Sequence, residues 1–500
     1  MSDHAVIVKI IAATLMVLAG TNHARAQKSL DVSSPQGITL SIYDTGTAII
    51  NEARRVSLEQ GEHDLVIRAL PNTLDPVSAS YGAVTRSAPF DLLEQSLHYD
   101  LTSSQALLNR MAGQPVVIQS GDTIREGVLL SGPIAGNMSD PSPTHLPVRS
   151  RDSRNLWMIG LDELSSISFP FARESLATEP RLIWRVRTRQ EGPQNFRLVY
   201  RADGLDWRAF YEIMLDAGSL QANFSSRVRL INESGAKYVN ARVRLLLTEK
   251  GLAGPIVPDA DLPSFQRPAL RYAYGMQEPG FERSIAALAP VEVYELPRTV
   301  TLDMDRPTFV HLVQSSAIPI RRFFVYDGVR FDRYQRNRRT DWNYGTEFHN
   351  LVHTHVEFEN EQKYGLGMAL PPGVCRVYQV RADGSVDMIG EEIMPRIDQG
   401  GKGHVRVGPA RGLSGERERT GYVEVKPHHV YEESFQIRLS NTSEEAAEIR
   451  VVEHLYRWSE FQIVRADADF VQTGPQTIEF RADVRPGGRR SIHYTVRYTW

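Results

Sequence analysis

The sequence predicts a mainly β protein built of sandwich-type domains, and three observations carry that prediction. Apolar and polar residues alternate with period two over most of the chain, the pattern of strands half-buried against a core. Asp-Gly pairs at 203–204, 327–328 and 383–384 punctuate those stretches as turns. Helical spacing, by contrast, is confined to one short segment after residue 103. At 500 residues the chain exceeds what one hydrophobic core usually supports, so two or three domains are expected.

Residues 1–26 have the pattern of a signal peptide. Lys9 precedes an apolar run from Ile10 to Ala19, and Ala24-Arg25-Ala26 supplies the small residues that signal peptidase needs, so cleavage is expected before Gln27. The run is too short to span a bilayer, and no later stretch approaches about 18 consecutive apolar residues. The processed chain is therefore expected to be exported and to have no transmembrane helix.

Residues 27–86 contribute N-terminal β strands. In residues 87–172, Ser103 is placed to cap a short helix carrying Ala106, Leu107, Leu108 and Met111, and Gly113 is placed to end it. Short strands follow at 116–119, 127–131, 156–159 and 167–169, which suit a small SH3-like or Sm-like barrel inserted into the larger fold. Residues 132–154, rich in Gly, Pro, Ser and Asp, form an exposed excursion from it. Sandwich strands resume over 173–250, with clear alternation at 227–230 and 242–246. Residues 251–295 are a Pro-rich loop or linker in which Tyr272, Tyr274 and Phe281 are candidate contact anchors. A C-terminal sandwich domain fills 296–500. At its end Ile478, Phe480, Ala482 and Val484 share one face, Pro486-Gly487-Gly488 breaks the strand, and Ile492, Tyr494, Val496, Tyr498 and Trp500 share another, which predicts a hairpin.

Composition narrows the function. A formal net charge of -3 is close to balance and argues against a nucleic-acid binder. Cys375 is the only cysteine, so no intramolecular disulfide exists, and its place in the apolar alternation 374–380 predicts a buried thiol. The sequence contains no Gly-x-Ser-x-Gly elbow, His-Glu-x-x-His pair or phosphate loop, which argues against the familiar hydrolases and nucleotide enzymes. No cofactor is implied.

Two clusters carry candidate chemistry. On a strand His353, His355 and Glu357 project to one face, and imidazole and carboxylate groups so placed are a candidate metal site, with His349 nearby. Arg330, Arg333, Arg336, Arg338 and Arg339, interleaved with Phe331 and Tyr334, form a basic run suited to an anionic envelope polymer or lipid headgroup. The carboxylate pairs Glu391-Glu392 and Glu432-Glu433, and Asp467 with Asp469, read as solvated.

Several segments together resemble a known family. Leu205-Asp206-Trp207-Arg208-Ala209-Phe210-Tyr211, then Asn232-Glu233-Ser234-Gly235 and Asn240-Ala241-Arg242-Val243, are followed by Gly365-Leu366-Gly367, Leu370-Pro371-Pro372-Gly373, Gly390-Glu391 and Asn441. This order is similar to the bacterial domain of unknown function 4139, found in mucoidy-inhibitor-like exported proteins, and extends from about residue 199 to 500. Ile42-Tyr43-Asp44-Thr45-Gly46 and residues 56–70 resemble its N-terminal strand pair. The long coiled coil of those proteins is missing here. The resemblance implies a sandwich-rich envelope protein from a family with no assigned activity.

The expectation is thus a bacterial protein, periplasmic or otherwise extracytoplasmic, that binds or scaffolds an envelope protein or polysaccharide without catalysis. Two alternatives stand beside it. One is a metal-dependent enzyme with its site near His353, His355 and Glu357. The other is an outer-membrane β-barrel, prompted by the aromatic C-terminus with apolar residues at every second position behind it.

Overall fold

The computed structural model describes residues 29–83, 90–101, 104–135, 143–170, 176–189, 191–216, 221–248, 290–329 and 340–499. Of the described residues, strands make up 66% and helices 4%, which places the chain in the mainly β class with sandwich-type domains. The segment read as a signal peptide lies outside the described residues, as does most of 251–295.

The first sandwich packs two sheets face to face. One has four strands in the order Ser29–Asp31, Gly61–Ile67, Arg181–Thr188 and Asp91–His98. The other has seven, running from Pro290–Glu295 through Tyr238–Thr248, Gln36–Tyr43, Thr47–Leu58 and Gly192–Asp203 to Ser80–Ala83, with Val300–Leu302 also paired to Tyr238–Thr248. Alternation decides which side chains meet. Leu40, Ile50, Leu65, Trp184, Phe196 and Leu198 fill the shared core, while their strand neighbours face out.

Between the strands of this sandwich lies the insert. Leu108 of the helix Ser104–Arg110, with Met111, packs on Val116, Ile118, Leu129, Leu146 and Val148 of a six-stranded sheet. Ser103 lies outside the described residues; Gly113 is left-handed, at φ +81°, as a helix terminator should be. Among the described residues the outermost strands, Leu156–Gly160 and Ser166–Ser168, do not pair with each other. The pairing shows the sheet and not its closure into a barrel.

The rest of the chain forms one 13-stranded array serving two further cores. Two long strands join them. Thr308–Tyr326 pairs first with Gln221–Asn232 and then with Leu351–Glu359, and Lys402–Lys426 pairs first with Leu351–Glu359 and then with Val430–Asn441. Cys375, as expected, is buried in the core between them, and burial raises its thiol pKa well above the usual value.

The expected C-terminal hairpin is corrected. Thr477–Val484 pairs with Ala447–His454 and Phe470–Gly474, whereas Arg489–Thr499 pairs with Val430–Asn441 and Phe461–Ala466. The two strands lie in opposite layers and present Phe480 and Ala482, or Ile492 and Tyr494, to one core. Alternation records which face is buried, not which strand is the neighbour.

One five-strand unit occurs twice. Leu205–Leu215 pairs with Gln221–Asn232, and the second half of Lys402–Lys426 pairs with Val430–Asn441, so that Leu205 faces Asn232 and Leu413 faces Asn441. Each hairpin starts from a left-handed glycine, Gly204 or Gly412, whose carbonyl accepts from the backbone of Glu233 or Thr442 at 2.7 Å. The buried Asn232 and Asn441 amides donate to a carbonyl four residues on, Ala236 or Glu445, and to Leu302 or Val484 in the facing layer. Their side-chain oxygens accept from Ser234 or Ser443. A third and fourth strand follow in register, Tyr238–Thr248 with Val300–Leu302 and Ala447–His454 with Thr477–Val484, and a fifth extends each hairpin. In sequence the repeat shows as Arg-Leu-x-Asn-x-Ser at 229–234 and 438–443.

Candidate functional site

The strand Leu351–Glu359 is central in its sheet. Its neighbours place His353 beside Val325 and Pro409, His355 beside Phe323 and Arg406, and Glu357 beside Arg321 and His404. Because side chains alternate, Val352, Val356 and Phe358 enter the cores while His353, His355 and Glu357 share the opposite face. The His355 ring stacks on Phe323 with centroids 5.4 Å apart, and the Arg450 guanidinium lies 3.7 Å from the centre of the same Phe323 ring. His404 approaches His355, and His349 approaches His353, each with ring centroids 6.3 Å apart.

This environment disfavours the charged forms of His355 and His353. Burial, followed by His404 and Arg406, pushes the His355 pKa down to about 4, and burial with Arg406 also lowers that of His353. Glu357 is engaged by Lys402 at 3.5 Å. Among the described residues no group of three or more His, Cys, Asp or Glu side chains is arranged to hold a metal ion. What the row offers is imidazole whose charged form is disfavoured, in a partly buried setting with arginines close by.

The strand Lys402–Lys426, which pairs with this row, also contributes to a buried ionic network. Arg417 pairs with Glu453 at 2.8 Å, both essentially inaccessible, and the Tyr494 hydroxyl donates to the same carboxylate. Glu433 accepts from Arg457 at 2.8 Å, from Arg419 at 3.2 Å and from the Tyr456 hydroxyl at 3.1 Å. The Glu432-Glu433 pair is therefore not simply solvated: Glu433 is fully buried. Asp467 likewise accepts from the backbone and ring of His493.

The same arginines reach a turn-rich segment. Arg457 donates to the carbonyls of Asp341 and Tyr344 at 2.9 and 3.3 Å, Arg417 to Gly345 at 2.8 Å, and Arg419 to Trp342 at 2.5 Å. Arg419 also lies 4.5 Å from the centre of the Trp342 ring, a cation–π contact. Residues 341–345 are thus clamped to the sandwich by its own buried charges. Among the nominated contact residues, Arg330, Arg333, Arg336, Arg338, Arg339, Tyr272 and Tyr274 lie outside the described residues.

Sequence reasoning missed this clamp because Glu416-Arg417-Glu418-Arg419 alternates like an exposed charged strand. The repeat supplies the missing signal. By register, Arg417, Glu433 and Glu453 occupy the positions held in the first copy by Ala209, Phe224 and Leu245. All six are buried. The fold itself is satisfied by apolar residues there, so the charges in the second copy answer a local need.

In comparisons with known proteins, no family profile matches the chain and no curated protein is significantly similar to it. Among the described residues no helix is long and apolar enough to cross a membrane.

Proposed function

We propose that this is an exported bacterial envelope protein, periplasmic or otherwise extracytoplasmic, that binds or scaffolds other envelope components without catalysis. The observation that carries the reading is the clamp on residues 341–345: three arginines rooted in the sandwich fix the backbone of a connecting segment to a rigid frame. Binding residues commonly sit on loops held in this way. In sequence the basic run at 330–339 leads directly into the clamped segment, which suits it to presenting charge to a partner. The leader pattern at 1–26 and the resemblance to domain of unknown function 4139 support an envelope location.

Expression of the full chain in a Gram-negative host tests the proposal. The expected product begins at Gln27, is recovered in the soluble periplasmic fraction, and crosslinks to an envelope component through a photoreactive residue at Tyr344. Retention in outer membranes through a urea wash would replace this reading with the β-barrel one. Stoichiometric metal in the purified protein, lost in a His353→Ala/His355→Ala variant, would replace it with the metal-dependent one.

A further inference from the structure

On the outer faces of the first sandwich, carboxylates pair with two of the three arginines of Arg181–Thr188 but with few of the arginines on the seven-stranded sheet. On the four-stranded sheet Arg185 pairs with Asp64 at 3.2 Å and Glu94 at 3.0 Å, and Arg187 pairs with Glu62 at 2.6 Å. On the seven-stranded sheet Arg55, Arg197 and Arg242 are exposed, as is Arg298 in the turn after Pro290–Glu295, and no carboxylate pairs with any of them among the described residues. Arg244 meets Glu295 at 3.4 Å and Arg201 meets Asp203 at 3.8 Å, both loosely.

Register places these arginines together. Arg242 is level with Thr39, Asn51 and Val199, and Arg244 with Ser41, Ile49 and Arg201. Arg197 is level with Ala53, and Arg55 with Asn195. All project away from the core that Val243, Leu40, Ile50 and Leu198 fill. At one edge Arg242, Arg244 and Arg298 line a groove of about 520 Å³ with Thr39, Glu295 and Thr299.

From this we infer that the outer face of the seven-stranded sheet binds an acidic polysaccharide, a carboxylate-bearing and hydroxyl-rich chain. Guanidinium groups grip carboxylates through two parallel hydrogen bonds, and unpaired ones are free to do so. Arg242 and Arg197 are three strand spacings apart, roughly 14 Å, so one chain reaches both clusters where a single small anion cannot. Between and beside them Thr39, Ser41, Asn51 and Asn195 offer hydroxyl and amide groups suited to sugar hydroxyls. None of the four is an aromatic platform of the kind that holds single-stranded nucleic acid. The site goes beyond the function proposed above and uses none of the residues of the basic run.

The test measures binding of the purified full chain to polygalacturonate, with neutral dextran and single-stranded DNA as comparisons. Binding is expected to polygalacturonate and not to dextran, to weaken as salt rises, and to fall by about tenfold or more in Arg242→Gln/Arg244→Gln/Arg298→Gln. That variant is expected to melt like the parent, because its side chains are at the surface, and Arg185→Gln/Arg187→Gln is expected to bind normally. Several results would overturn the inference: no binding at low salt, equal binding to DNA, or unchanged binding in the triple variant. Loss of binding only when Arg330, Arg333, Arg336, Arg338 and Arg339 are changed to Gln would likewise overturn it and assign the polymer to the basic run.

Discussion

Arg417 shows how one side chain can be correct for its place and yet unnecessary to the fold around it. Its guanidinium is buried beside Glu453, lies 3.9 Å from the centre of the Phe435 ring, and spends its remaining reach on the carbonyl of Gly345. Truncating one partner leaves the other charge desolvated without compensation, which typically costs about 3–5 kcal/mol. Arg417→Leu and Glu453→Leu are therefore each expected to lower the urea midpoint sharply. The double variant is expected to recover much of the loss, since the first copy of the unit buries apolar Ala209 and Leu245 at these positions. Equal and additive losses in a double-mutant cycle would show that the two residues do not act as a pair. A fold that recovers while residues 341–345 become open to protease is the outcome that assigns the pair to the clamp.

At the scale of the element, the clamped turn depends on Gly345. Its φ of +75° is left-handed, and a Cβ there would sit 2.1 Å from the Tyr456 ring, whose hydroxyl is tied to Glu433. Gly345→Ala is expected to destabilise by about 1–3 kcal/mol and to speed hydrogen exchange at 341–345. Gly384→Ala, at φ +82° with open space around it, is expected to cost only the backbone strain of about 1 kcal/mol. Strand existence was legible because half-buried strands must alternate: residues 478–484 and 492–498 bury the faces their pattern predicts. Strand partnership was not, since nothing in Phe480 or Tyr494 says that the intervening turn changes layer. The site was legible only as far as one strand extends. His353 and His355 share the face read from their spacing, but His404, Arg406, Phe323 and Arg450, which set their chemistry, arrive from other strands. The Arg417–Glu453 and Arg457–Glu433 pairs were hidden for the same reason, each partner looking solvated until register brings the other to it.

Across the whole molecule, the histidine row lies on the strand that joins the two long connecting strands, so its protonation bears on how the second and third cores are held together. His355 is packed by Phe323 and is near His404, Arg406, His353 and Arg450, and its folded pKa is about 4 against an ordinary value of 6.5. The unfolded chain therefore takes up a proton first as pH falls, and the unfolded state is favoured through that interval. Stability from this group is complete above pH 6.5, declines as pH falls from there towards 4, and is then fully lost. The loss amounts to at most roughly 3 kcal/mol, and His353, lowered in the same direction, adds to it. The expected measurement is a urea midpoint that falls between pH 6.5 and 4 in the parent and falls less in His355→Phe, with the two curves closest above pH 6.5 and furthest apart near pH 4. Phenylalanine preserves the stack on Phe323 and removes the titrating group, so an unchanged pH slope in that variant would assign the acid sensitivity to groups elsewhere in the sheets.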